Sequence, residues 1–378
     1  PEPGNTVALT LDIDFQETVE TTLAQTVEAM TQEDDLARAA AAAVVQVGTG
    51  DVLALASYPT FSLKTFNEDY NENYNDPLQP FFNRATQGTY APGSTFKPLT
   101  AIAALESGVI EPYTEINTKG VYSYYDLRLN CWLYSSTGRV HGKINVTEAI
   151  TESCNYFFYD IGRMTGISTI ARYAAAFGLG EPTGIEIPEN LGVMTTPDYV
   201  NSLDGHYWTD GQTLTSAIGQ SYSLFTPLQL ANYIATLCNG GTRQNAHLLK
   251  NVKEYDSSSL VTVYDEPPAE IITLEEENLR AVLDGMHELT VSGSVAWYFR
   301  DCIVDAGAKT GTAQTGNNKE NGVFVAFAPY DDPEIAVAIV IEKAGSGGAL
   351  ATTAVNILNA YFSSADNTDI LKENTLLK

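Results

Sequence analysis

The sequence is short of positive charge. Twenty lysines and arginines stand against 47 aspartates and glutamates, a formal net charge of −27 over 378 residues. Such a surface repels phosphate backbones and anionic lipid, which excludes nucleic acid as a partner. Long apolar runs are missing too: none reaches the roughly 18 residues that a membrane-crossing helix needs. The chain opens Pro1-Glu2-Pro3-Gly4, with no secretory leader, and is expected to be a piece of something longer. Its four cysteines, Cys131, Cys154, Cys238 and Cys302, are too few for a disulfide scaffold at this length. Internal repeats and low-complexity segments are absent.

What is present fits a large folded unit. Apolar content of 44% is ordinary, and the length allows one big domain or two lobes. Thr6 to Leu11 alternates as a strand, and Asp12 or Asp14 can cap a helix over Phe15 to Met30. Ala41–Val47 and Val52–Ser57 are apolar runs joined by Gly48-Thr49-Gly50-Asp51, a hairpin signal. Tyr58 to Thr89 reads as a long surface loop, Tyr113 to Gly142 as mostly irregular, and Gly178 to Thr213 as loop. Helices are expected after Ser94 and over Val146–Phe158, Ile167–Phe177, Pro227–Cys238, Glu275–Leu289 and Ala349–Phe362. Leu248 to Ile272 resembles a polar hairpin. Asp305–Ala313, Gly322–Ala328 and Glu334–Glu342 read as strands.

The expected architecture is mixed α/β (α+β). The early hairpin and three late strands form one antiparallel five-stranded sheet with the terminal helices on one face. The sheet lobe takes about residues 1–60 and 290–362, a helical lobe about 90–290, and 363–378 is a polar, frayed tail. The cleft between the lobes is the expected site.

Three stretches carry chemistry. In Pro92-Gly93-Ser94-Thr95-Phe96-Lys97, Ser94 should begin a helix whose apolar run is Leu99 to Leu105. Residues three apart share a helix face, so the Ser94 hydroxyl and Lys97 amine can meet. A lysine shut from water can be neutral and take the hydroxyl's proton. The alternative is a capping serine beside a solvated lysine. Ser153-Cys154-Asn155 offers a hydroxyl for proton relay and an amide for a substrate amide, or else a pair of caps. Lys309-Thr310-Gly311-Thr312 offers a cation, a glycine that lets a substrate backbone approach, and hydroxyl and N–H donors, or else a plain edge strand.

Taken together, Ser-x-x-Lys, Ser-x-Asn and Lys-Thr-Gly-Thr in this order resemble the penicillin-binding transpeptidase family. The resemblance is to its class B, monofunctional, elongation-type (PBP2-like) branch. It extends to Leu9-Thr10-Leu11-Asp12, Asn83-Arg84-Ala85, Cys131-Trp132, His141-Gly142, Thr183-Gly184-Ile185, Ile218-Gly219-Gln220 and Thr226-Pro227-Leu228-Gln229, nearly the whole chain. The resemblance implies the penicillin-binding/serine β-lactamase-like fold and a D,D-transpeptidase that cross-links peptidoglycan stem peptides and is blocked by β-lactams. It also implies site roles. Ser94 is the acylated nucleophile, and Lys97 and Ser153 move protons. Asn155, Lys309, Thr310 and Thr312, with Ser94, bind substrate, Gly311 completes the catalytic set, and the N–H groups of Ser94 and Thr312 are the oxyanion donors. No catalytic cofactor is implied. Ser221 departs from the glycine many relatives carry after Ile-Gly-Gln. The membrane anchor and N-terminal pedestal of class B relatives are not in this sequence. An excised extracytoplasmic domain is therefore expected, with a membrane glycosyltransferase as partner through the missing part.

Cys131, His141 and Cys154, with Asp126 just before them, suit a tetrahedral structural zinc, and some relatives are expected to hold one there. Free thiols and a Cys131–Cys154 disulfide are the alternatives. His206, His247 and His287 read as structural or surface residues, with no Ser-His-Asp set around Ser94. Rival readings are a serine β-lactamase, for which Glu186 to Asn190 supplies an acidic loop, a non-catalytic β-lactam-binding sensor or scaffold, and a D,D-carboxypeptidase.

Overall fold

The computed structural model describes residues 4–371 except 35, 37, 256–258 and 315–318; the side chains of 364–371 are not described. The expected hairpin forms from Ala40–Gln46 and Val52–Tyr58. It joins Ile335–Ile341, Asn321–Ala328 and Gly307–Ala313 in one antiparallel five-stranded sheet. Gly307–Ala313 is one edge and Val52–Tyr58 the other. Because helices cover both faces, the inner strands are apolar on both sides. That is why they read as unbroken apolar runs rather than alternating ones.

Alternate residues feed two cores. On one face Ala42, Val44, Phe324, Ala326, Val337 and Ile339 meet Phe15, Val19, Leu23 and Val27 of the helix Ile13–Asp34. Ala354, Ile357 and Leu358 of the helix Ala351–Leu371 join them. On the other face Val45, Val323, Val325, Ala338 and Val340 belong to a core shared with the helices Lys97–Glu106, Asn155–Thr165 and Pro227–Cys238. Pro227–Cys238 lies directly on the sheet. Thr226 and Gln229 close a capping box at its start.

Several local expectations need correction. The 58–89 segment contains a helix, Phe66–Asn75, whose rings meet at four-residue spacing, Phe66 edge-on to Tyr70 and Tyr70 stacked on Tyr74, with ring centroids 5.7 and 6.0 Å apart. Asparagine-rich composition hid that periodicity. The 113–142 segment is not mostly irregular. Ile116–Thr118 pairs with Gly142–Ile144, Val121–Tyr124 with Leu127–Asn130, and Trp132–Thr137 is helical. Pro197–Ser202 and Gly211–Ser216 add short helices to the stretch read as loop. The predicted Val146–Phe158 helix is two helices, Val146–Thr151 and Asn155–Thr165, broken where Ser153 takes φ = +51°. The closing helix runs on to Leu371 rather than ending at Phe362, since extending a packed helix needs no new nucleus. The rest of the predicted tail, 372–378, lies outside the described residues. Thr6–Leu9 pairs with Leu249–Lys253, and Leu260–Val263 adds a third strand to that small sheet.

Candidate active site

Ser94 lies in a single 3-10 turn, Gly93–Phe96, that feeds the α-helix beginning at Lys97. Gly93 has φ = +54°, and a Cβ there would sit 2.7 Å from the carbonyl oxygen of Thr312. A Cβ on Gly311 would sit 2.5 Å from the carbonyl oxygen of Pro92. The turn and the sheet edge therefore touch backbone to backbone, and only glycine fits at either contact. The Gly93 N–H donates to Gly219 O (2.9 Å), and the Gln220 amide donates to Thr312 O (3.0 Å). The Thr312 carbonyl thus points off the free edge. In an antiparallel strand the N–H of the same residue shares that side.

Lys97 has no exposed surface. Its backbone N–H donates to the Ser94 carbonyl, but among the described residues no hydrogen bond joins its amine to the Ser94 hydroxyl. Its Nζ lies 2.8 Å from Ser153 O, 2.6 Å from Asn155 Oδ1 and 3.1 Å from Ser153 Oγ. The expected meeting with Ser94 is replaced by contacts to the Ser153–Asn155 turn. A neutral amine has two hydrogens and one lone pair. The hydrogens suit the two carbonyl oxygens, which leaves the lone pair facing a hydroxyl. Burial lowers the Lys97 amine from 10.5 to about 8.

Lys309 is equally buried, and its Nζ lies 3.0 Å from Ser153 Oγ. Burial, and then the nearby Lys97 cation, push its amine well below the ordinary lysine value. One hydroxyl thus stands between two dehydrated amines. The left-handed backbone of Ser153, a costly conformation for serine, turns it there. Thr310 and Thr312 are half-buried on the edge strand, and Asn155 opens its helix beside Lys97.

Cys131, His141 and Cys154 come together behind Asn155. Cys131 Sγ lies 3.9 Å from Cys154 Sγ and 3.7 Å from His141 Nδ1, and the three ligand atoms lie within 4.8 Å of one another. Cys131 is held below the ordinary thiol value, first by a hydrogen bond from Cys154 and then by His141, while Cys154 is pushed up. Both thiols are free and buried. Asp126 does not belong to the group. Tyr124 pairs with Leu127, so Tyr125 and Asp126 form the exposed tip of a hairpin. Nearness in sequence was a poor guide across that turn. His247 is buried with its Nε2 3.1 Å from Asp51 Oδ1, and His287 stacks on Tyr330.

The acidic loop offered as a β-lactamase signature is tied up. Glu186 accepts the N–H groups of Leu248 (2.8 Å) and Leu249 (2.9 Å), and Glu189 accepts from the Thr183 N–H and hydroxyl. These carboxylates fasten the 183–189 loop to its neighbours. Sequence reading missed the part of Gln220 in fixing the edge strand; the motif was visible, but its partner Thr312 is 92 residues away.

A family model for the penicillin-binding protein transpeptidase domain matches residues 40–360. The peptidoglycan D,D-transpeptidase MrdA of Escherichia coli K12 is 32% identical over 397 residues, covering 99% of this chain and 60% of that protein. The chain spans about six-tenths of the length of such curated relatives. A crystal structure of Pseudomonas aeruginosa PBP2 in complex with WCK 5153 is 29% identical and superposes with a TM-score of 0.83, covering 100% of this chain and 81% of that one. A chain from a solved peptidoglycan synthase complex that coordinates polymerization and crosslinking is 28% identical, with a TM-score of 0.83, covering 100% of this chain and 65% of that one.

Proposed function

This chain belongs to the family of penicillin-binding protein transpeptidase domains, and from that premise we propose that it is a serine D,D-transpeptidase of peptidoglycan. The observation that carries the reading is the Ser153 hydroxyl, 3.1 and 3.0 Å from two fully buried lysine amines beside the Ser94 turn.

Neutral Lys97 takes the Ser94 proton, directly or through Ser153, as Ser94 Oγ attacks the carbonyl of the penultimate D-alanine of a stem peptide. The N–H groups of Ser94 and Thr312 receive the oxyanion. Asn155 binds the donor's amide, and Thr310 and Thr312, with Lys309 behind them, receive its terminal carboxylate. Ser153 passes the proton to the departing nitrogen, which leaves as free D-alanine. The amine of a second stem peptide then attacks the acyl-enzyme, losing its proton by the same route, and the new amide frees Ser94. A β-lactam enters as the donor does and remains as a Ser94 ester. No step needs a cofactor.

Cys131, His141 and Cys154 would hold a structural zinc. At Zn–S near 2.3 Å, two thiolates of a tetrahedron lie about 3.8 Å apart, close to the separation here. Among the described residues the buried His141 Nε2 has no hydrogen-bond partner, and it lies 4.0 Å from Glu152 Oε2, as a ligand's outer nitrogen often faces a carboxylate. The ion would pin the 113–142 segment to the Ser153 turn. Purified protein should carry one zinc, and chelation should lower its melting temperature; absence of stoichiometric zinc would remove the metal from the account.

Among the described residues no helix is long and apolar enough to cross a membrane. We place the domain on the extracytoplasmic face of a bacterial membrane, working beside a glycan polymerase through chain outside these residues. Incubation with a D-Ala-D-Ala stem peptide and an amine acceptor tests the reaction. Free D-alanine should appear in equal amount with a cross-linked product. Hydrolysed donor alone would make it a carboxypeptidase, and no D-alanine release would end the enzymatic reading.

A further inference from the structure

Four residues before the nucleophile, Tyr90 is held in three ways. Its N–H and C=O both pair with Phe225 at 2.9 Å, its ring is buried, and its hydroxyl donates to Glu342 Oε1 at 3.1 Å. A Cβ on Gly88 would sit 2.9 Å from that hydroxyl, so the ring lies tight against the preceding backbone. Glu342 follows the strand Ile335–Ile341 directly, and its N–H donates to Ala39 O (2.8 Å). It shares its face with Val340 and Ala338, which lie in the same core as Tyr90 and Phe96. Ile341 is opposite Gly322, which is opposite Thr312. Glu342 therefore stands at the Thr312 end of the sheet, two strands or about 10 Å in from the edge strand.

The same carboxylate pairs with Arg84, whose Nε is 3.6 Å away. Arg84 is 5% exposed, and its guanidinium also donates to the carbonyls of Leu78 and Gln79. Its backbone N–H donates to Ser57 Oγ at 2.9 Å. A buried guanidinium thus faces the carboxylate by charge alone, its Nε making no hydrogen bond among the described residues, and the carboxylate accepts from the tyrosine. Among the described residues, the other hydrogen bonds of residues 90–93 engage their backbone groups, the Pro92 carbonyl accepting from the Thr95 hydroxyl. The Tyr90–Glu342 bond is the side-chain tie from that loop to the interior of the sheet.

We propose that the Arg84–Glu342–Tyr90 chain is a positioning device for the Ser94 acylation step. It sets the height of the Tyr90–Ser94 loop against the Lys309–Thr312 edge, and so the distance between the nucleophile and the N–H and amine groups that serve it. None of the three side chains touches the reacting atoms. The inference rests on the acyl-enzyme reading above. A shift near 1 Å in such geometry costs on the order of a hundredfold in rate.

The test compares parent, Tyr90→Phe, Glu342→Gln and the double variant in the second-order rate of labelling by a fluorescent penicillin, with melting temperature measured alongside. Tyr90→Phe removes one oxygen and keeps the Arg84–Glu342 pair. It should slow acylation at least about tenfold while melting within a few degrees of the parent. The double variant should be no slower than the slower single variant, because both break one link. Tyr90→Phe labelled at the parent rate overturns the proposal, as do variants that melt early yet acylate normally. A parent that is not acylated overturns the enzymatic reading and this inference with it.

Discussion

A lysine amine shut from water is a base over only part of the pH range, and Lys97 puts that range within reach of measurement. Burial lowers its folded value from 10.5 to about 8. The neutral form therefore grows as pH rises toward and past 8, and the second-order rate of Ser94 acylation should climb with it and level off above. A rate independent of pH between 6.5 and 9 would contradict Lys97 as the base. The same shift has a stability sign. A basic group whose folded pKa is depressed weighs against folding at low pH, and the penalty fades as pH rises from about 8 toward 10.5. Lys97→Ala should slow acylation by about 10²–10⁴-fold, the usual worth of a positioned base. Stopped-flow labelling that found the parent rate in Lys97→Ala would redirect the proton route to Lys309.

At the scale of elements, the site depends on two backbones touching. Gly311→Ala places a Cβ 2.5 Å from Pro92 O and 2.9 Å from Thr95 Cγ2. The turn and strand must part, at a cost of about 1–3 kcal/mol. The variant should keep its circular dichroism and lose penicillin labelling; normal labelling would show that the contact does not set the site. Ser221 holds φ = +77° in an exposed loop, a left-handed backbone that favours glycine. Ser221→Gly should therefore stabilise the fold by up to about 1 kcal/mol, the left-handed strain of serine less the extra freedom of an unfolded glycine. Urea denaturation reads that as a higher midpoint, and a lower one would contradict it.

The elements also divide what was legible from what was not. The Ser94 turn and the helix after it were readable because they are local, whereas the contacts of the Lys97 amine, 56 and 58 residues along the chain, were not. The hairpin of Ala40–Gln46 and Val52–Tyr58 was readable because a glycine-rich turn joins two apolar runs. The break at Ser153 was not, since serine rarely adopts a left-handed backbone and here tertiary contacts impose it. Asp126 was misplaced because a hairpin tip points away from residues only a few positions along the chain. The Tyr90–Glu342 bond spans 252 residues, and no local pattern announces such a pair.

For the whole molecule, a formal charge of −27 means that the folded state carries standing repulsion. Raising sodium chloride from about 10 to about 150 mM shortens the screening length from roughly 30 to 8 Å, and the melting temperature should rise. A fall would mean that attractive pairs dominate the surface. The architecture itself follows from that division of labour: two apolar cores hold the sheet from either side, and chemistry gathers at its one edge free to meet the Ser94 turn. The central claim is that this edge and turn make a nucleophile of one particular serine. Peptide mapping by mass spectrometry after brief exposure to benzylpenicillin tests it most directly. The account predicts one penicilloyl group per chain, on the peptide carrying Ser94, and none on Ser94→Ala; an unmodified parent, or an adduct on another residue, would contradict it.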